Sequence, residues 1–306
     1  MKAISVQGLT KQFDRFVAVD QISFDVQRAE IFGFLGPNGA GKTTTIRMLC
    51  GILKPSQGRG TVAGLDILRE NEKIKRQIGY MSQRFSLYPD LTVVENIDFF
   101  AGIYGLSGAK KNARRQWALV TANLKEYTRR LTRELPLGYK QRLALVCAML
   151  HEPVIIFLDE PTAGVDPVSR RHFWDLIYRL KEERQTTIFV TTHYMDEAEH
   201  CERIALIQNG KISALDAPSE LKKSITSRIY VVNGEPAGTV REVITQERGA
   251  RSLVPFGVAF HVFFDSDQSA QAVKKELKKK GVVLERFEPV LPSLEDVFIS
   301  FVENKA

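Results

Sequence analysis

Ile31-Phe32-Gly33-Phe34-Leu35-Gly36-Pro37-Asn38-Gly39-Ala40-Gly41-Lys42-Thr43-Thr44 is the stretch from which the fold of this chain can be read. Its first five residues are an apolar run of strand length, and Thr43 to Leu49 looks helical, stopped by Gly51 and Pro55. Between them, Gly36 to Thr43 fits G-x-x-x-x-G-K-[ST]. Glycines in such a loop let backbone N–H groups point inward around phosphates, and the helix start adds a positive partial charge. Lys42 then reaches the β- and γ-phosphates, and Thr43 ligates Mg²⁺. Strand, glycine loop and helix in that order predict a nucleotide-binding α/β domain.

Working outward, Val154-Ile155-Ile156-Phe157-Leu158-Asp159-Glu160 is a second apolar strand that delivers two carboxylates at its C-terminal end, where open α/β sheets bind ligands. Asp159 is expected to hold Mg²⁺, and Glu160 to orient and deprotonate an attacking water. A helix through Phe173, Leu176, Ile177 and Leu180 leads to a third strand, Thr187 to Val190, an order that points to a mostly parallel sheet covered by helices. Helix-period apolar residues from about 92 to 150 read as an inserted helical subdomain, and Ile4, Val6, Ile22, Phe24 and Val26 as alternating strands. The texture changes near residue 222. From there the strand-like segments are Arg228–Val232, Val258–Phe264 and Val282–Glu288, the helix-like ones Thr239–Glu247 and Ser269–Lys280, and Ser252–Pro255 suits one more short strand. Ser293 begins a closing helix with Asp296 three residues after the cap. The predicted class is α/β, a P-loop NTPase with a mostly parallel sheet, an inserted helical subdomain and a small α+β C-terminal domain. Its domains are 1–221 and 222–306.

The 306 residues, 44% hydrophobic and 26% charged, suit a globular protein with a sizeable core. No apolar stretch approaches the roughly 20 residues that cross a bilayer, and the start alternates like a strand, without the pattern of a signal peptide. A cytoplasmic location is expected. Cys50, Cys147 and Cys201 lack metal-site spacing and read as reduced, structural thiols. Between Leu106 and Arg142 ten basic residues stand against two acidic ones, which accounts for the whole net charge of +7. Two readings of that segment are open, a solvated helical face and a surface near anionic headgroups or an acidic partner loop. Aromatic residues are not interleaved with these charges as nucleic-acid stacking requires, so no nucleic-acid partner is expected.

The order and wording of these segments resemble the nucleotide-binding subunit of ABC transporters over residues 1 to about 220. The resemblance implies ATP and Mg²⁺ as cofactors. It makes Gly36, Pro37, Asn38, Gly39, Ala40, Gly41, Lys42, Thr43 and Thr44 nucleotide contacts, with Gly138 and Asp166. Gln83, in Gly79-Tyr80-Met81-Ser82-Gln83, resembles the glutamine that senses Mg²⁺ and the attacking water. His193, in Val190-Thr191-Thr192-His193-Tyr194-Met195-Asp196-Glu197-Ala198-Glu199, resembles the switch histidine that contacts the γ-phosphate. With Glu160 and Lys42 these are the catalytic candidates; Thr43, Gln83 and Asp159 are the metal candidates. Asp166, in Ala163-Gly164-Val165-Asp166, resembles the aspartate that crosses a dimer interface. Phe13 lies where the family stacks an aromatic ring on adenine, with a core phenylalanine as the alternative.

One segment departs from the family. Where Leu-Ser-Gly-Gly-Gln is usual, this chain has Leu135-Pro136-Leu137-Gly138-Tyr139, followed by the expected Lys140-Gln141-Arg142. Pro136 suits a first helical turn but has neither hydroxyl nor N–H. Losing one donor at a phosphoryl site is worth roughly 10²- to 10³-fold in rate, by analogy with oxyanion donors. This wording, with Gly164-Val165-Asp166-Pro167 and Pro292-Ser293-Leu294-Glu295-Asp296-Val297-Phe298, resembles bacterial multidrug or antibiotic-efflux exporter ATPases. The resemblance implies separate transmembrane permease subunits, a second ATP-binding subunit in a homodimer or heterodimer, and a peripheral place on the cytoplasmic face of the membrane. Two rivals stay open: a soluble ABC ATPase uncoupled from transport, and an ATP-binding regulatory subunit with impaired hydrolysis. For the C-terminal residues a regulatory or dimer-bracing module and a stability appendage are equal readings.

Overall fold

The computed structural model describes residues 1–83, 87–247 and 249–303, the last two by backbone alone, and divides into two compact units, Met1–Ala217 and Pro218–Ala306. The division falls before Pro218 and not at 222, because the helix starting there packs within the second unit, where its Leu221 is buried.

In the first unit, strands β1 (Lys2–Phe13) and β2 (Phe16–Gln27) precede β3 (Ile31–Leu35) and helix α1 (Lys42–Leu49). There follow β4 (Gln57–Val62), β5 (Leu65–Asp66), α2 (Asn71–Gln77) and β6 (Ile78–Met81), then the helices α3 (Val93–Ile103), α4 (Gly108–Thr121) and α5 (Leu137–Ala148). The chain returns through β7 (Ile155–Asp159), α6 (Pro167–Arg184), β8 (Thr187–Thr192), α7 (Met195–Ala198), β9 (Arg203–Gln208) and β10 (Lys211–Asp216). Among the described residues, a six-stranded sheet has the order β10-β9-β3-β8-β7-β6, parallel except for the β9–β10 hairpin at its edge. Every residue of β3, β7 and β8 is buried, as strands covered on both faces require.

A second, antiparallel sheet, β2-β1-β4-β5, covers one face. The two sheets meet at rings: Phe24 of β2 lies 5.7 Å from Phe32, 5.6 Å from Phe34 and 6.1 Å from Phe189, centroid to centroid. Truncating a ring such as Phe189, which also touches Phe157, to alanine costs about 3–5 kcal/mol. This packing fixes the plane from which β3, β7 and β8 present their C-terminal ends.

The helical subdomain is built on polar ties as well as apolar ones. Thr92 and Glu95 form a reciprocal capping box at the start of α3. Buried Asn96 accepts from the Tyr88 N–H and donates to Tyr88 O and to Thr132 Oγ1, each at 2.9 Å, pinning the flanking loops. Part of the basic run is tied into the structure. Arg114 is buried and donates to Met149 O and Leu150 O at the end of α5, both at 2.8 Å, where a cation meets the helix dipole. Arg115 pairs with Asp98 at 2.7 Å and Arg133 with Asp90 at 2.6 Å, so acidic residues outside the run offset part of its excess. No helix among the described residues is long and apolar enough to cross a membrane, and the three cysteines are buried and free.

The second unit contains α8 (Pro218–Lys223), β11 (Arg228–Glu235), α9 (Ala237–Gln246), β12 (Ala250–Phe256), β13 (Ala259–Phe264), α10 (Asp267–Lys279), β14 (Val283–Pro289) and α11 (Leu294–Glu303). The strand order β12-β13-β11-β14, all antiparallel, with α9 and α10 as crossovers, is the split βαβ arrangement. Its core gathers Tyr230, Val232, Val262 and Phe264 from the sheet with Val240, Val243, Ile244, Val273 and Leu277 from the helices. The expected cap of α11 is present: the Asp296 N–H donates to Ser293 Oγ at 3.2 Å, and the Ser293 N–H to Asp296 Oδ2 at 2.8 Å.

Candidate functional site

β3 ends at Leu35 and α1 begins at Lys42, so Gly36 to Gly41 form a loop at the C-terminal edge of the six-stranded sheet. Gly36 is required by close approach: a Cβ there would lie 2.2 Å from the backbone oxygen of Ile207 on β9. Lys42, 4% exposed, folds over the loop and donates to Gly36 O at 2.7 Å and Pro37 O at 3.1 Å. Ala40 is buried, its N–H on Pro37 O.

β7 carries Asp159 and Glu160 to the same edge. Thr43 Oγ1 donates to Asp159 Oδ1 at 3.1 Å, and Thr191 Oγ1 donates to the same oxygen at 2.7 Å. Burial pushes the Asp159 carboxyl above the usual carboxylate range, and those two hydroxyls oppose the shift. Glu160 adopts a φ of 49°, a left-handed backbone that a non-glycine residue takes up at a cost. Its N–H, held by Thr191 O at 3.1 Å and Thr191 Oγ1 at 3.0 Å, locks that turn and aims the carboxylate into the loop. There Glu160 Oε1 meets Lys42 Nζ at 2.9 Å, and Gln83 Nε2 donates to Oε2 at 3.1 Å. His193 Nδ1 lies 3.2 Å from the same Oε2 in a close approach without hydrogen-bond alignment.

Of these groups Lys42, Thr43, Gln83 and Glu160 border one cavity of about 360 Å³, together with Phe13, Phe16, Ala18, Asn38, Gly39, Gly41 and Thr44; Asp159 and His193 reach it through Thr43 and Glu160, and Gly36, Pro37 and Ala40 lie behind its lining. A cavity of about 470 Å³ opens instead at the starts of β7 and β8, the sheet edge away from the carboxylates. The donor set suits a hard divalent cation such as Mg²⁺: Asp159 Oδ2 is buried with no hydrogen-bond partner, beside the Thr43 hydroxyl, and the Gln83 amide stands close by on Glu160. Phe13 is 44% exposed at the end of β1, which removes the reading of it as a core residue. Phe16, more exposed still, also lines the cavity and was missed; only its place beside Phe13, across the β1–β2 turn, signals it.

Gly138 and Asp166 do not line this cavity. They lie together elsewhere, at the starts of α5 and α6. A Cβ on Gly138 would sit 2.6 Å from Ser169 Cβ, so glycine lets the two helix starts touch. Asp166 is the N-cap of α6, accepting from the Ser169 N–H at 2.9 Å. The expectation that Pro136 occupies the first turn of α5 is corrected. Its ψ of 152° is extended, so it stands at the cap, before the helix, and offers no side-chain acceptor.

A glycine loop running from a central parallel strand into a helix, with its lysine and threonine facing two carboxylates at the end of the next strand but one in the sheet, defines a P-loop NTPase domain. The family model described as ABC transporter matches residues 19–163, and that described as ATP-binding protein DrrA1-3-like, C-terminal domain, matches residues 217–302. The daunorubicin/doxorubicin resistance ATP-binding protein DrrA of Streptomyces peucetius is 31% identical over 100% of this chain and 94% of its own length. The chain belongs to the ABC transporter ATP-binding family. The probable multidrug ABC transporter ATP-binding protein YbhF of Escherichia coli strain K12 is 50% identical over 72% of this chain, which spans only 38% of that protein's length. The dimeric ATP-binding cassette MJ0796, solved in a post-hydrolysis state with ADP and Pi, superposes with a TM-score of 0.64 at 26% identity, over 70% of this chain and 98% of its own.

Proposed function

We propose that this chain hydrolyses ATP to power export through a separate membrane-spanning permease, working as one of two ATP-binding subunits at the cytoplasmic face of the membrane. The observation that carries the reading is the buried contact of Lys42 with Glu160 beside Asp159, set at the mouth of the glycine loop. In this reading backbone N–H groups of the loop and Lys42 hold the β- and γ-phosphates, Thr44 borders the α-phosphate and Phe13 stacks on adenine. Thr43, Asp159 and Gln83 are the residues that would hold Mg²⁺, which when bound offsets phosphate charge. Glu160 takes the proton of the attacking water, a role worth about 10²- to 10⁴-fold. His193 contacts the γ-phosphate beside it.

Gly138 and Asp166, away from the cavity, face the nucleotide of the second subunit. Names of relatives, multidrug and daunorubicin resistance among them, support a drug or antibiotic as cargo. The test is Mg²⁺-dependent ATP turnover of the purified chain beside Glu160→Gln, while ATP-induced dimerisation is followed by light scattering. Turnover that disappears in the variant, with ATP trapping a dimer, is expected. Turnover that persists in Glu160→Gln overturns the assignment of the base, and ATP binding without turnover or pairing overturns the homodimeric motor.

A further inference from the structure

Beneath the segment that bears His193 lies a carboxylate that the site described above does not use. Glu197, on α7, is 1% exposed. Its Oε2 accepts from Thr192 Oγ1 at 2.6 Å, and its Oε1 accepts from Thr162 Oγ1. Thr192 is the last residue of β8, next to His193 in the chain, and Thr162 is two residues beyond Glu160 on the way to Asp166. Arg170, in the first turn of α6, completes the arrangement. Its Nε lies 3.5 Å from Glu197 Oε1, its Nη1 meets Asp196 Oδ2 at 2.8 Å, and its guanidinium covers the Tyr194 ring at 4.3 Å.

Three chain segments therefore converge on one buried carboxylate. A carboxyl group so deeply buried, charged or protonated, is expensive to leave without its hydrogen-bond partners. The three partners come from the end of β8, the loop after β7 and the start of α6, so displacing any one of them unpairs the others.

We propose that Glu197, with Arg170, is a positioning residue that makes the strand end bearing His193 and the loop bearing Asp166 move as one body. The inference rests on the ATPase reading above and deepens it: nucleotide sensed at His193 is transmitted through Thr192, Glu197 and Thr162 to the helix start that Asp166 caps. Glu197 touches no reacting atom. Its effect therefore falls on the chemical step, not on nucleotide affinity, because the cavity that admits ATP is lined by other residues. The charged groups that act on it are Arg170 from α6, Asp196 from its own helix and Glu160 from the end of β7.

The experiment is steady-state hydrolysis of Mg-ATP by the full chain and by Glu197→Ala, Glu197→Gln, Thr162→Val and the double variant Glu197→Ala/Thr162→Val, with thermal melts to establish folding. Glu197→Ala should lose roughly 10- to 100-fold in kcat, the scale of an ångström-sized misplacement, while KM for ATP stays within about 3-fold. Glu197→Gln keeps a donor and an acceptor for the two threonines and should recover most of that loss. Thr162→Val should slow the unmodified chain and add nothing to Glu197→Ala, since the pair acts as a unit. A kcat of Glu197→Ala within about 2-fold of the unmodified chain, or a Thr162→Val effect equal in both backgrounds, overturns the inference while leaving the ATPase reading intact. Absence of hydrolysis in the unmodified chain, alone and with its membrane subunit, overturns that reading and this inference with it.

Discussion

Replacing Glu160 by glutamine should tighten nucleotide binding as it abolishes turnover. The pair Lys42–Glu160 is made at 2.9 Å between side chains 4% and 7% exposed. Removing one partner of such a pair commonly costs about 3–5 kcal/mol, because a buried charge is left uncompensated. Here Lys42 keeps two carbonyl acceptors, at 2.7 and 3.1 Å, and the glutamine oxygen still accepts, so the cost to the ligand-free chain should be nearer 2 kcal/mol. With nucleotide bound, phosphate oxygens take over as partners of Lys42 and the cost vanishes, along with the repulsion between the carboxylate and the phosphates. Closing the cycle, the variant should bind a non-hydrolysable ATP analogue about 30-fold more tightly, since each 1.4 kcal/mol is a factor of ten. Titration with a fluorescent analogue reads the affinity, and urea unfolding with and without ligand reads the two arms of the cycle. Equal or weaker affinity in Glu160→Gln would show that the contact with Lys42 contributes nothing to the ligand-free state and would refute the reasoning.

Phe13→Ala, at an exposed position, should leave the melting temperature unchanged and weaken ATP by roughly 5- to 100-fold, the worth of stacking one base, as read by the same titration. Asp166→Ala should lower the urea midpoint of the first unit through loss of the α6 cap, and Asp166→Asn should restore it. Burial pushes Glu197 up to about 7, against about 4.3 in an unfolded chain, so between those values the folded state holds a proton that the unfolded state releases. Its contribution to stability is complete below about pH 4.3 and is lost as pH rises through 7. Relative to the unmodified chain, Glu197→Gln should therefore gain about 2 kcal/mol between about pH 5.5 and about pH 8. Urea unfolding at those two values checks it, and a difference that does not vary with pH would contradict the raised pKa.

How much of this could be read in the sequence follows from how local each cause is. Gly36 to Thr44 was legible because phosphate binding demands glycines and a lysine at set spacing, and the apolar run of Ile155–Asp159 because a strand buried on both faces needs one. β9 and β10 were not anticipated, although Ile204–Ile207 is apolar and Asn209-Gly210, both at positive φ, makes the two-residue turn typical of a tight hairpin. Glu197 was invisible for a different reason. Asp196-Glu197-Ala198-Glu199 stands inside the segment quoted for its histidine, with nothing in it to single out one of its three carboxylates, and only the arrival of Thr162 and Arg170 from distant segments buries one of them. The left-handed turn at Glu160 is likewise a tertiary fact, set by Thr191 on the next strand. Pro136 shows the limit of local rules, since its ring suits the cap and the first turn alike and only ψ separates them.

The contact between Gly36 and the Ile207 carbonyl has a consequence for how the chain can evolve. The obstacle to any larger residue at 36 is a main-chain oxygen, which every amino acid carries, so no exchange at 207 can make room. β9 is hydrogen-bonded between β3 and β10, and moving it aside means re-registering both neighbours at once. Position 36 thus has no viable single-step neighbour in sequence space, whereas 207 tolerates any apolar residue that fills the same volume. Lineages can drift at the second position and are held at the first, and the glycine, once adopted, is effectively irreversible.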